Sequence, residues 1–361
     1  MEKTMGKIIK GSVCELNGKK YYKIENYDCM EDFFMTITSP SDIWNFCWSK
    51  GGITAGRIDR NFAIFPYYTA DKVSDAAPYT GNYTAIAAKV DGEIVFWEPF
   101  TALKAAPSVQ KEAEKYLLRN IYKSENGTEV IFEEINTKLN LSFMNGWTSS
   151  EKYGIVRSAK ITNLGSKKIE ISILDGCQNI LPACCEFGLQ NDNSILLDAY
   201  KKTDLDTKTN LSIFSVSSIV ADKAEPNEGL YANTCWFSTD DKVILATDAP
   251  LQFINVNQTE LADYNSFKTE NCSKGERSAS FICKKIELSA AQAQNWYQVF
   301  DTNLNATKIA QLNSLIKDRA KALSALEKDV ADCEQQMTNY LASADGIEDT
   351  AENINCLHHH A

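Results

Sequence analysis

Histidine is nearly missing from this 361-residue chain: there are three, and they stand together at 358–360. A Ser–His–Asp triad, a Cys–His pair or a histidine-bearing zinc site is therefore excluded from the body of the sequence. None of the eleven cysteines forms a Cys-x-x-Cys pair, and the adjacent Cys184 and Cys185 are badly placed for a metal or an ordinary disulfide. Eighteen apolar residues never run together, and the N-terminus shows no apolar core of signal-peptide length. The expectation is a cytoplasmic chain with no membrane partner. Positive charge is in deficit, with a formal net charge of −11, which speaks against nucleic acid as well as an anionic membrane. The glycines of the 51–57 segment (GGITAGR) match neither GxxxxGK[ST] nor GxGxxG, so no nucleotide phosphate site is expected there. No cofactor and no metal are expected.

What is present is mostly strand. Ile169, Ile171 and Ile173 alternate with Lys168, Glu170 and Ser172, the period of a half-buried strand. Ile155 to Thr162 reads as its neighbour, and Asn163-Leu164-Gly165-Ser166 as the turn of a hairpin between them. Asn126-Gly127 predicts a second hairpin, joining 116–123 to 129–135. Further strands are expected at 20–25, 32–38, 93–97, 139–149, 211–220, 234–238, 242–247, 278–288 and 296–301, and residues 108–115 can be read as helix. With no α-helix between the strands, the pattern predicts a mainly β fold, a large antiparallel two-layer sandwich.

Two stretches carry candidate binding residues. Residues 42–68 hold two Trp, two Tyr, three Phe and three Gly. Small residues beside aromatics and an arginine suit a sugar surface, where a ring stacks and Arg donates to hydroxyls. Trp48, Tyr67 and Arg57 are the candidates, with Trp44 and Tyr68 nearby. The competing reading makes the aromatics core and the glycines turns. Asp175 to Pro182 reads as a loop leaving the sheet, offering Gln178 and Asn179 to a ligand or to its own backbone. Carboxylates are plentiful, but no spacing singles out a catalytic pair, and Asp204 and Asp206 do not make an EF-hand loop.

Beyond residue 302 the period changes. Ile309, Ile316, Leu323, Val330 and Met337 fall at one heptad position, and Leu312, Arg319, Leu326, Cys333 and Tyr340 at the other. This predicts about 35 residues of helix, capped by Asn305 and stopped by Asp345-Gly346. Such a helix forms either a coiled-coil dimer or a layer lying on the sheet or on another domain, and Arg319 at a core position favours the layer.

Seven separated motifs carry a family resemblance. GGITAGR (51–57), FPYYTADK (65–72), WEPF (97–100), IFEEIN (131–136), YGIVRSAKITN (153–163), ILDGCQNILP (173–182) and LLDAYKKTDLD (196–206) together resemble the N-terminal part of cellobiose-phosphorylase-like proteins, similar to glycoside hydrolase family ninety-four. The resemblance implies a β-supersandwich of the galactose-mutarotase-like type (1–302), then a long helical linker (303–361). It implies an (α/α)6 barrel beyond, which would hold the general acid and the phosphate-binding residues. With that barrel missing from the chain, the expectation is a truncated, non-catalytic sandwich and linker that supports a barrel acting on glycosides. A free-standing carbohydrate-binding module and a coiled-coil assembly module are the other readings. An oligosaccharide or glycoside and a homodimer partner are the expected associations, and Arg57, Gln178 and Asn179 match family motifs by proximity to a sugar site or interface.

Overall fold

The computed structural model describes residues 7–218 and 231–344. In chain order its strands begin with β1 (Lys10–Leu16), β2 (Lys19–Glu25), β3 (Phe34–Ile37), β4 (Ile43–Trp48), β5 (Ile53–Arg57), β6 (Ala63–Phe65) and β7 (Gly81–Val90). Then come β8 (Glu93–Trp97), β9 (Leu117–Ser124), β10 (Val130–Asn136), β11 (Leu141–Ser150), β12 (Gly154–Asn163), β13 (Ile169–Ile180) and β14 (Lys201–Asp206). The last are β15 (Leu211–Val216), β16 (Tyr231–Phe237), β17 (Val243–Ile244), β18 (Cys272–Lys274), β19 (Ser278–Leu288) and β20 (Ala293–Asn305). Six α-helices accompany them: α1 (Ala70–Ala76), α2 (Pro107–Ala113), α3 (Phe187–Tyr200), α4 (Ala249–Val256), α5 (Ala306–Ile316) and α6 (Arg319–Ser343).

The strands form one eleven-stranded sheet, β1-β2-β9-β10-β11-β12-β20-β16-β15-β14-β18, and two smaller ones, β17-β19-β13-β7-β8 and β3-β4-β5-β6. Alternation decides which way each side chain of the large sheet points. From β12, Ile155, Ala159 and Ile161 face the small sheets, while Val156 faces the other way. The five-stranded sheet meets that inner face through Ile86, Ile171, Ile173 and Ile282. The four-stranded sheet meets it through Met35, Ile43, Ile53 and Phe65, against Trp147, Ile155 and Phe300. Val156, Trp236 and Val299 on the opposite face receive Ile316, Ala322 and Leu326 of the last two helices. The molecule is thus mainly β with large antiparallel sheets, as expected, but it has a third, helical layer.

Two polar knots lie inside the sandwich. Arg157 on β12 and Asp175 on β13 are fully buried and pair twice, Nη1 to Oδ2 at 2.8 Å and Nη2 to Oδ1 at 2.7 Å. Thr84 Oγ1 and Trp296 Nε1 also donate to Asp175, so its carboxylate accepts four hydrogen bonds from three residues on three other strands. The second knot joins Arg119 to Glu134 at 2.6 Å and to Asp28 at 2.8 Å, with Trp97 Nε1 donating to Glu134.

Several sequence expectations need correction. Residues 155–162 and 169–173 are not a hairpin. β12 pairs with β11 and β20, whereas β13 pairs with β19 and β7, so the 163–168 segment carries the chain from one sheet to the other. Alternation identifies a strand but not its partner, and Ile161 and Ile171 enter the same core from opposite sheets. Asp175 to Ile180 is not a loop but the second half of β13; Asp175 is matched by side chains from distant strands, and Gln178 and Asn179 by the segment before β7. Helices α3 and α4 interrupt the later strands. The expected strand at 211–220 is described only to Val216, and its remainder at 219–220, like the Asp345-Gly346 stop and the histidines at 358–360, lies outside the described residues.

The C-terminal helix is two helices. Asn305 caps α5 as expected, accepting from Lys308 N at 2.9 Å, and Asp318 then breaks the run with β backbone and caps α6 through Lys321 N at 3.0 Å. On α6 the buried positions are Ala322, Leu326, Asp329 and Cys333, a helical stripe that faces the sheet; Leu323 is half-buried and Tyr340 exposed. Arg319 is spent on the same docking, donating to Thr209 O and Asp240 and lying over Trp236. Asp329 pins the middle of α6, accepting from Ser150 Oγ at 2.6 Å and from Lys152 N at 3.0 Å. Among the described residues, no helix is long and apolar enough to cross a membrane.

Candidate functional site

The four-stranded sheet is built from the Trp-, Phe- and Gly-rich stretch, and its two faces differ. Along β4, Ile43, Asn45 and Cys47 point inward, which leaves Trp44, Phe46 and Trp48 on the outside. Phe34 of β3 joins them, 45 % exposed, with the exposed Thr36 beside it. The outer face of the five-stranded sheet is sealed by Phe253 and Ala249 of α4. On the four-stranded sheet, α1 reaches one end, where Val73 lies over Gly52. The aromatic side chains remain half open to solvent.

These rings form a continuous ribbon. Trp48 meets Phe34 at 6.2 Å between centroids, Phe34 meets Phe46 at 5.4 Å, and Phe46 meets Trp44 at 5.9 Å. Phe46 and Trp44 are stacked with planes 28° apart, while Phe34 is tilted by 31° to Phe46 and by 53° to Trp48. Tyr67, 38 % exposed, stands edge-on to Trp44 at 5.6 Å, and Phe187 of α3 meets Tyr67 at 5.9 Å. Arg60 caps this end, its guanidinium 4.4 Å from the Phe187 centroid. At the other end Asp32 and Lys50 form an ion pair of 2.6 Å. An apolar strip with hydrogen-bonding groups at both ends can take a ligand that has an apolar face and a polar rim.

Gly56 is the residue that lets Trp44 lie down. A Cβ there would sit 2.6 Å from Trp44 Cζ2 and 2.5 Å from Phe62 O. Gly56→Ala is expected to tilt Trp44 off the sheet and cost about 1–3 kcal/mol of stability by overpacking. Thermal melting together with Trp fluorescence checks this; an unchanged emission spectrum would mean that the glycine is not what seats the ring.

The structure brings Trp48 and Tyr67 onto one ribbon, and Trp44 with them. Arg57 points elsewhere, toward the rim of the large sheet. Its Nε donates to Asp301 at 2.6 Å, Nη1 to Asp42 at 2.7 Å and Nη2 to Glu151 O at 2.7 Å. Burial pushes the Asp301 carboxyl above the usual carboxylate range, against the pull of Arg57. Gln178 and Asn179 lie at a bulge that ends β13 and hold the 78–81 segment, through Pro78 O and Thr80 Oγ1, both at 2.8 Å. They meet neither Arg57 nor the ribbon rings in any of these contacts. Phe34, Phe46 and Phe187 complete the ribbon without having been singled out from sequence. The first two sit at alternating positions of short strands, which was a usable signal; Phe187 arrives from a helix far along the chain and gave none.

No family model and no curated protein matches the chain. Solved structures do match. A bacterial glucoamylase complexed with acarbose is similar at 8% identity and TM-score 0.48, over 92% of this chain and 40% of that one. A putative aldose 1-epimerase from Escherichia coli K12 is similar at 7% identity and TM-score 0.38, over 75% of this chain and 99% of that one. Another, from Klebsiella pneumoniae, is similar at 6% identity and TM-score 0.33, over 85% and 91% of the two chains. The chain spans 40% of the glucoamylase's length.

Proposed function

We propose that this chain is a non-catalytic, carbohydrate-binding β-sandwich with its helical layer, part of a carbohydrate-active enzyme of the cellobiose-phosphorylase-like kind. In that reading the bond-breaking groups belong to an (α/α)6 barrel, and this part binds saccharide and supports the barrel. The observation that carries it is the ribbon of contacting aromatic rings on the face of the four-stranded sheet that the described residues leave partly open. Sugar rings offer C–H faces that lie against aromatic π-faces, and equatorial hydroxyls that reach the polar groups at the rim. GGITAGR and FPYYTADK, two of the seven motifs of the resemblance, supply β5, the Tyr67 segment and the start of α1 of this same unit.

The buried carboxylates support a non-catalytic role. Asp175, Glu134 and Asp301 are each tied to an arginine, Asp329 to Ser150 and Lys152, and Glu133 accepts from Asn120, Tyr122 and Ser142. The first four join one layer to another, and Glu133 joins neighbouring strands of the large sheet. The coiled-coil reading loses its footing for a related reason, since Ile316, Leu326 and Cys333 face this chain's own sheet. A homodimer would have to use what the sheet leaves exposed, Tyr340 among it.

Calorimetric titration with cellohexaose, xylohexaose and maltohexaose tests the reading. Binding of at least one is expected, with Trp44→Ala weakening it by 10-fold or more, as for aromatic anchors at interfaces. No heat with any of them, or binding that survives Trp44→Ala and Tyr67→Ala together, would refute the ribbon. Turnover of a β-glucoside by this chain alone would refute the non-catalytic part.

A further inference from the structure

The β5–β6 connection, residues 58–62, borders the ribbon on one side, where Asp59 O accepts from Trp44 Nε1 at 3.2 Å. On its other side lies a cleft of about 670 Å3, closed across by α5 and the end of β20. That is the volume of a small-molecule site. Its apolar wall comes from Ile58, Phe62 and Leu312; its polar wall comes from the Arg57 cluster, with Lys308 and Gln311 on the helix.

Ile58 is the unusual residue. Its φ is 58°, in the left-handed region that a β-branched side chain adopts only under strain, and it is 65 % exposed. Two neighbours impose the conformation: Ile58 N donates to Asp42 O at 2.8 Å, and Asp59 caps the turn that follows through Asn61 N at 2.7 Å. Glycine or asparagine would make the same turn with less strain. An exposed isoleucine offsets that strain only if its side chain touches something, and the described residues leave it exposed.

The charges around the cleft nearly cancel. Arg57, Lys152 and Lys308 line it with Asp42, Glu151 and Asp301, and Arg57 pairs with both Asp42 and Asp301. Neither an anion nor a cation is favoured. Guanidinium, ammonium and amide groups supply donors, carboxylates and the Gln311 carbonyl supply acceptors, and an apolar wall faces them. We infer that this cleft binds an uncharged mono- or disaccharide, with Ile58 against the sugar's apolar face and the Arg57 cluster and Gln311 at its hydroxyls. This rests on the reading of the protein as carbohydrate-binding, and adds a short-sugar site separate from the ribbon.

The test uses glucose, cellobiose, lactose and maltose in calorimetric titrations of the full chain and three variants. Gln311→Trp, at an exposed position, fills the cleft mouth and is expected to weaken binding of the preferred sugar by 10-fold or more. Ile58→Gly is expected to weaken it by 5-fold or more while raising the melting temperature, a combination that a purely structural isoleucine would not give. Phe34→Ala, on the ribbon but away from the 58–62 connection, is expected to leave short-sugar binding unchanged while reducing hexasaccharide binding. Hexasaccharide binding with no short-sugar binding, or short-sugar binding indifferent to both cleft variants, overturns the cleft and leaves the ribbon standing. No binding of either kind overturns both. A lower melting temperature with unchanged affinity in Ile58→Gly would make the loop a structural feature only.

Discussion

Asp175→Asn is expected to destabilise the protein by about 3–5 kcal/mol, the cost of breaking a buried ion pair by removing one partner. The asparagine would occupy the same space, so packing is not the issue. Arg157 would be left fully buried with no opposing charge. The new amide donor would also confront the guanidinium, Thr84 Oγ1 and Trp296 Nε1, which now all donate to the carboxylate. Urea unfolding followed by circular dichroism measures the loss. Asp192→Asn at an exposed site is the control and should stay within about 0.5 kcal/mol of the parent. A loss below about 1 kcal/mol for Asp175→Asn would mean that this pair does not join the two sheets energetically.

Asp329→Ala should cost about 3 kcal/mol and act locally. Two donors, Ser150 Oγ and Lys152 N, would lose a charged acceptor, and hydrogen bonds to charged groups are worth about 1.5–3 kcal/mol each. Hydrogen exchange should quicken along α6 well before it quickens in β11 and β12. The same carboxyl gives an acid dependence. Burial pushes its pKa up, but the Ser150 hydroxyl and the Lys152 amide and ammonium outweigh burial and hold it below the usual range. A group with a folded pKa below its unfolded one contributes fully above the unfolded value, about 3.9 for Asp. Its contribution is lost as pH falls from there through the folded pKa. Helix α6 should therefore loosen below about pH 4 in the parent, while Asp329→Ala should be loose already at neutral pH. Equal acid sensitivity of α6 in both proteins would assign the loss to other groups.

Much of the strand content was legible, because a period of two survives whatever the strand pairs with. The Asn126-Gly127 hairpin was legible for the same local reason: β9 and β10 pair directly across it. Pairing between distant strands was not. Asp175 looks like a loop residue because charged residues are rarely fully buried, and nothing local announces that Arg157 waits in the opposite sheet. The helix break at Asp318 was hidden under a heptad that continues across it, since hydrophobic spacing ignores the backbone at a cap. On the ribbon, Trp48 and Tyr67 were readable from composition and Phe187 was not. The family-like motifs themselves prove largely architectural: Trp97 of one meets Glu134 of another, and Arg157 of a third meets Asp175 of a fourth.

The pairing of β12 with β20 also governs how the chain can be made. Ile155 lies opposite Phe300, so during synthesis β12 waits with one edge open until almost the whole sandwich has left the ribosome. β13 waits likewise for β19, and β2 for β9. Pairings of such sequence separation make folding slow, and open edges with apolar faces invite other chains to pair. Chains cut before Ala293 would keep β11, β12 and their inner-face isoleucines but lack the strand that closes them. Such pieces should go into aggregates during expression, whereas a cut after Asn305 removes α5, α6 and the residues beyond them and leaves every described strand its partner.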